Sequence, residues 1–142
     1  MSINPVYTAH ASATGGRDGK AKVAGTDLSF DLATPAEMGG SAKGYNPEQL
    51  FAAGYSACYI GAMKFAASQD DSLPEVPEAV AVETAVGIGS REAGGFGLKV
   101  DLKVSLPGVE LKAAEQLTKA AHGICPYSNS VRGNVDVTTE IV

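Results

Sequence analysis

The chain predicts an α+β fold built on antiparallel sheets, and three observations carry that expectation. Short segments alternating apolar and polar residues lie on both sides of one long stretch of helix-forming residues. A second helical stretch carries a narrow apolar stripe, and the chain closes on a further alternating run. In order this reads strands, helix, strands, helix, strand, all within one domain spanning 1–142.

The first group alternates over residues 3–32 and breaks at turn-forming residues: NPVYTAHASAT, the turn GGRDG, then KAKVAGTDLSFDLAT with a second tight turn at Gly25, Thr26 and Asp27. This spacing predicts a three-stranded antiparallel meander. Arg17 sits at the tip of the first turn, where a charged residue is ordinarily solvated. The Gly-rich connection PAEMGGSAKGY, with Met38 and Tyr45, then leads into the predicted helix over 46–69. Asn46 is its expected cap, Pro47 fits the first helical position, and Glu48 places negative charge in the first turn. From Leu50 to Ala67 Lys64 is the only charge, so the helix is expected to be central and buried on most sides.

The polar link DDSLPEVPEA precedes two alternating runs, AVAVETAVGIGS and GFGLKVDLKVSL, joined by the turn REAGG. The second places Leu98, Val100, Leu102, Val104 and Leu106 on one face. LPGVELKAAEQLTKAAHG reads as an amphipathic helix with Leu111, Ala114, Leu117 and Ala121 buried and Gly123 at its end. CPYSNSVRG is a short extra turn, and NVDVTTEIV is the last strand.

Composition narrows the function classes. Sixteen acidic against 11 basic residues give a net charge of -5, which leaves no basic footprint for nucleic acid or an anionic membrane. The first ten residues carry no basic-then-apolar leader pattern and no segment reaches a membrane span, so a cytoplasmic location is expected. In a reducing compartment the two cysteines are free thiols, metal ligands or a reversible redox pair. His10, Cys58, His122 and Cys125 show no CxxC or HxxxH spacing, so no zinc motif is read and no metal is expected. Neither a GxSxG elbow nor a Gly-rich nucleotide loop occurs in strand-to-helix context.

The cysteines differ in setting. Cys58 lies mid-helix among small residues, where a cysteine ordinarily packs as a small hydrophobe. Cys125 precedes Pro126 and so falls at or near the N-cap of the short turn, a place that favours a thiolate. His122, three residues earlier, could pair with a thiol or sit as a cation at its helix's C-terminus.

The segments NPEQLFAAGYSACYIGAM and GICPYSNSVRGNVDV together resemble the organic hydroperoxide resistance proteins, a branch of the OsmC-like thiol peroxidases, and the likeness runs from VYTAHASATGGRDG through the last strand. The resemblance implies an OsmC-like fold, with antiparallel sheets wrapped around long central helices in an intertwined homodimer. It implies a peroxidase that needs no cofactor and reduces alkyl or lipid hydroperoxides to alcohols. Cys58 would be the peroxidatic thiol and Cys125 the resolving one, their disulfide being re-reduced by a lipoylated protein or dihydrolipoamide. Arg17 and Glu48 would be their polar partners.

Local chemistry and the resemblance thus favour different nucleophiles. A helix dipole is worth only about 1 kcal/mol, whereas a guanidinium in a dry pocket can move a thiol further, so Cys58 is the expected nucleophile. Phe51, Ile60, Met63 and Tyr127, with Met38, are candidate walls of an apolar substrate pocket or ordinary core. Ten positions on a straight helix separate Glu48 and Cys58 by about 15 Å and roughly 80° of rotation. They are expected to meet only across a twofold axis where two helices cross antiparallel near Ala52, Ala53 and Gly54, giving a homodimer with composite sites. The rival readings are a general OsmC-type peroxidase, which the same resemblance allows, and a binding or sensing module that holds an apolar ligand.

Overall fold

The computed structural model describes residues 2–142, and its contacts separate into two compact units, Met1–Leu50 and Phe51–Val142. The first unit holds the expected meander of β1 (Ala11–Thr14), β2 (Lys20–Val23) and β3 (Ser29–Asp31), paired antiparallel in that order. β1 is shorter than its alternation suggests. Its register starts with Ala11 opposite Val23, where β2 ends, so the residues before it have no strand to pair with.

The Gly15–Gly19 turn is fixed by backbone geometry that only glycine supplies cheaply. Gly15 lies at φ 71°, and a Cβ on Gly19 would fall 1.7 Å from the Thr14 carbonyl oxygen. Between them the chain makes a 3-10 turn over Gly16–Asp18. Beyond β3, Ala33 N–H donates to the Tyr45 carbonyl and Tyr45 N–H to that of Asp31, which brings the start of the long helix beside the meander. The intervening connection contains a second 3-10 turn, Ala36–Met38, that no pattern in the sequence announces.

The long helix α1 runs Pro47–Gln69. The Asn46 side chain accepts from Gln49 N–H while the Gln49 side chain accepts from Asn46 N–H, so the cap is reciprocal. Within the second unit α1 buries one face: Tyr55, Tyr59, Ala62, Met63 and Ala66. Ala53, Ala57, Gly61 and Phe65 remain exposed in the single chain. The expected burial on most sides is therefore not met by one chain alone. Its low polarity leaves a second, uncovered apolar face.

The other elements of this unit are β4 (Ala81–Ser90), β5 (Phe96–Ser105), α2 (Leu111–Ile124), α3 (Pro126–Val131) and β6 (Asp136–Ile141). β4 and β5 form the expected hairpin, and Val100, Leu102, Val104 and Leu106 bury the predicted face against Tyr55, Tyr59, Met63, Leu117 and Ala121. Two expectations need correction. β6 pairs with β5 in parallel, so this sheet is mixed rather than antiparallel. The reason is that α2 and α3 carry the chain back along the sheet before β6 begins. Leu111, expected in the buried stripe, is exposed because it is the first residue of α2; Glu110 caps that helix, and burial starts at Ala114.

Candidate active site

α1 and the α2–α3 junction bring the two cysteines together: Cys58 Sγ and Cys125 Sγ lie 3.6 Å apart, both as free thiols. Cys125 ends α2 and begins α3, its N–H donating to the Ala121 carbonyl and its carbonyl accepting from Asn129 N–H. It is fully buried, whereas Cys58 is half-buried. The N-cap position foreseen for Cys125 is real, yet its side chain makes no capping bond. The backbone N–H of Tyr127, next but one along α3, instead donates toward the Cys58 sulfur. Burial pushes the Cys58 thiol above its ordinary pKa, the Tyr127 N–H opposes that, and the adjoining Cys125 adds to it. Accessibility and hydrogen bonding thus both favour Cys58 as the sulfur an incoming reagent meets.

In the first unit Arg17 and Glu48 make a two-point ion pair, with Nη1 to Oε2 at 3.0 Å and Nη2 to Oε1 at 2.5 Å. Arg17 is therefore not the freely solvated turn residue that its position suggests; its side chain is 33% exposed and that of Glu48 13%. Asp18 holds the turn from the other side by accepting from the Thr34 N–H and hydroxyl. Glu48 is kept below the usual carboxylate range, chiefly by the Arg17 hydrogen bonds, and Arg17 is correspondingly raised. The pair is thus charged at neutral pH, with the fork-on-carboxylate geometry that fixes a guanidinium's orientation.

His122 pairs with no thiol. Its Nδ1 lies 2.9 Å from Ser128 Oγ, its Nε2 lies 2.8 Å from Thr139 Oγ1, and its ring packs on Tyr59 with centroids 4.7 Å apart. Ser128 Oγ in turn lies 2.8 Å from the Tyr55 hydroxyl. Burial, with the Arg132 charge adding to it, holds His122 below the ordinary histidine pKa. The folded chain therefore resists a proton that the unfolded chain accepts, so the contribution of His122 to stability is intact above about pH 6.5 and declines as pH falls below it. Urea midpoints measured from pH 7 to pH 5 are expected to fall, and to fall less in His122→Asn.

Of the candidate pocket residues, Phe51 and Tyr127 lie together with ring centroids 5.6 Å apart, and both touch Tyr55. Gly54 makes room for them, because a Cβ there would come 2.9 Å from the Tyr127 hydroxyl. It is therefore directed toward Tyr127 within the same unit. Ile60 is half-buried beside the core, Met63 is fully buried within it, and Met38 is exposed in the first unit. Among the described residues no group of three or more His, Cys, Asp or Glu is placed to hold a metal ion, and no helix is long and apolar enough to cross a membrane.

Two free thiols from distant parts of the chain meet where the start of α3 adjoins α1, and comparison with known proteins gives this α+β arrangement its class. Residues 40–140 match the model of the OsmC-like proteins, and the chain belongs to that family. It is 51% identical to the organic hydroperoxide resistance protein of Xanthomonas axonopodis pv. citri, over 94% of this chain and 92% of that one. An uncharacterized protein of Acinetobacter baylyi is 55% identical over 100% of this chain and 98% of its own. A crystal structure of an organic hydroperoxide resistance protein from Legionella pneumophila superposes with a TM-score of 0.88 at 42% identity, covering 97% of this chain and 98% of that one. The resemblance read from the two cysteine segments is thereby borne out.

Proposed function

We propose that the protein is a cysteine-based peroxidase that reduces alkyl or lipid hydroperoxides to alcohols. The observation that carries this reading is the 3.6 Å separation of two free sulfurs, one accessible and one buried. Cys58, as thiolate, attacks the terminal peroxide oxygen; the O–O bond breaks, an alcohol leaves with one proton, and Cys58 becomes a sulfenic acid. Cys125 then attacks the Cys58 sulfur, and the sulfenic oxygen leaves as water. A lipoyl dithiol, free or protein-bound, reduces the resulting disulfide by exchange.

This chemistry needs a thiolate, whereas the surroundings of Cys58 raise its pKa. A cation is therefore required, and the pre-oriented Arg17–Glu48 pair is suited to the task. We assign that pair to a second copy of the chain in a homodimer. The uncovered stripe Ala53, Ala57 and Gly61 on α1 supports this assignment, since small residues one turn apart allow close helix crossing. Apolar residues around Cys58, Phe51 and Tyr127 among them, favour an organic substrate over hydrogen peroxide.

Turnover tests the function. With dihydrolipoamide present, the purified protein is expected to consume many equivalents of cumene hydroperoxide. Consumption that stops after one equivalent indicates a sensor or binder, and equal rates on hydrogen peroxide remove the preference for organic substrates.

A further inference from the structure

Cys125 stands at the break between α2 and α3, and the break leaves two carbonyls without their helical donors. In a continuous helix the His122 carbonyl would accept from the backbone N–H of residue 126, but Pro126 has none. Arg132, just past the end of α3, supplies the missing donor: its Nη2 reaches the His122 carbonyl at 2.5 Å. The Gly123 carbonyl would accept from Tyr127 N–H, which is directed toward Cys58 instead. Asn129 Nδ2 takes its place at 3.3 Å. Arg132 Nη1 donates to Asn129 Oδ1 at 2.7 Å, joining the two substitutes, and the backbone N–H of Asn129 donates to the Cys125 carbonyl at 2.9 Å. A further tie runs from His122 Nδ1 to Ser128 Oγ at 2.9 Å and on to the Tyr55 hydroxyl at 2.8 Å, on α1, the helix that carries Cys58.

We propose that Arg132, acting through Asn129 and the His122 carbonyl, is a positioning residue for Cys125: it braces the kink so that the Cys125 sulfur stays aimed at Cys58 once Cys58 has been oxidised. This role rests on the dithiol chemistry proposed above. The two sulfurs lie 3.6 Å apart, whereas a disulfide needs about 2.05 Å, so the junction closes a gap on the order of 1.5 Å during the reaction. A group held at near contact owes much of its rate to that placement, and a misplacement of about 1 Å can cost a hundredfold. The guanidinium fork reaches the His122 carbonyl and Asn129 Oδ1 at once, which the single ammonium of a lysine does less well. Arg132 and Asn129 are exposed, so each bond they make replaces one to water and adds little to stability. Their removal loosens the junction while the fold remains.

The brace is tested without hydroperoxide. The reduced full-length protein is mixed with dithiodipyridine, and thiopyridone release is followed by stopped flow. The Cys58 thiolate attacks the reagent, whose S–S bond breaks to release one thiopyridone and leave a mixed disulfide on Cys58. Cys125, its proton lost to solvent, then attacks the Cys58 sulfur and expels the second. The first phase scales with reagent concentration and the second does not. Arg132→Ala and Asn129→Ala are expected to keep the first rate and to slow the second at least about tenfold. Arg132→Lys, which keeps one donor, is expected to recover part of that loss. The double alanine variant should be no slower than the slower single one, since each removes the same brace. Folding is checked by circular dichroism. A wild-type second phase in the folded variants, equal slowing of both phases, or multiplied losses in the double variant would overturn the brace. If the wild type shows no reagent-independent second phase, both the brace and the proposed function fall. If that phase depends on Arg132 but hydroperoxides are not turned over, only the peroxidase reading falls.

Discussion

Replacing Cys58 with serine is expected to lower hydroperoxide consumption by on the order of a thousandfold, because a hydroxyl at neutral pH supplies almost no anion to attack the O–O bond. Removing Cys125 has a different consequence. Cys58 then reacts once per chain, its sulfenic acid persists, and excess peroxide carries it on to the sulfinic acid. Alanine is the better replacement at Cys125, since the site is fully buried and a serine hydroxyl left unpaired there would cost about 1–3 kcal/mol. Mass spectrometry of each variant after one and after ten equivalents of cumene hydroperoxide checks both outcomes. If the roles were reversed, Cys125→Ala would lose the first equivalent and Cys58→Ser would keep it.

Mixing two inactive variants is expected to restore activity if the site is composite. Cys58→Ala and Glu48→Ala chains that exchange freely form heterodimers in half of the dimers, and each heterodimer holds one intact site. About one quarter of wild-type activity should therefore return. The loss in Glu48→Ala alone follows from the ion pair, for without its carboxylate the Arg17 fork is no longer aimed. Activity that stays at the level of the separate variants would mean that each chain completes its own site. Unfolding and refolding the mixture before assay ensures that chains exchange.

Much of this architecture is legible in the chain because local patterns decide it. NPEQ announces the cap and first turn of α1, the alternation in β5 marks its buried face, and Cys125-Pro126 marks where α2 gives way to α3. The Asn46–Gln49 reciprocity also had a visible signal, the N-x-x-Q spacing. The direction of β6 did not, because alternation is the same whichever way a strand runs and only its neighbour settles parallel pairing.

The candidate site is less legible for the same reason. Arg17 reads as a surface residue until strand pairing and the Tyr45 bridge bring the helix start, and with it Glu48, to the turn. The N–H that reaches Cys58 belongs to a backbone group with no sequence signature, Tyr127. Cys125 occupies the cap position, but the Tyr127 amide beyond it is directed toward the other cysteine. His122 likewise carried two local readings, as a thiol's partner or a helix-end cation. Only the fold reveals that two hydroxyls hold it.

The central claim is that the two sulfurs act as one redox pair. The most direct measurement treats the reduced protein with one equivalent of cumene hydroperoxide per chain, quenches with acid, alkylates, and identifies cross-linked peptides by mass spectrometry. The account predicts loss of both thiols in each chain and a single linkage joining Cys58 to Cys125 within that chain. Recovery of Cys125 as a free thiol, or disulfides that join separate chains, would contradict it.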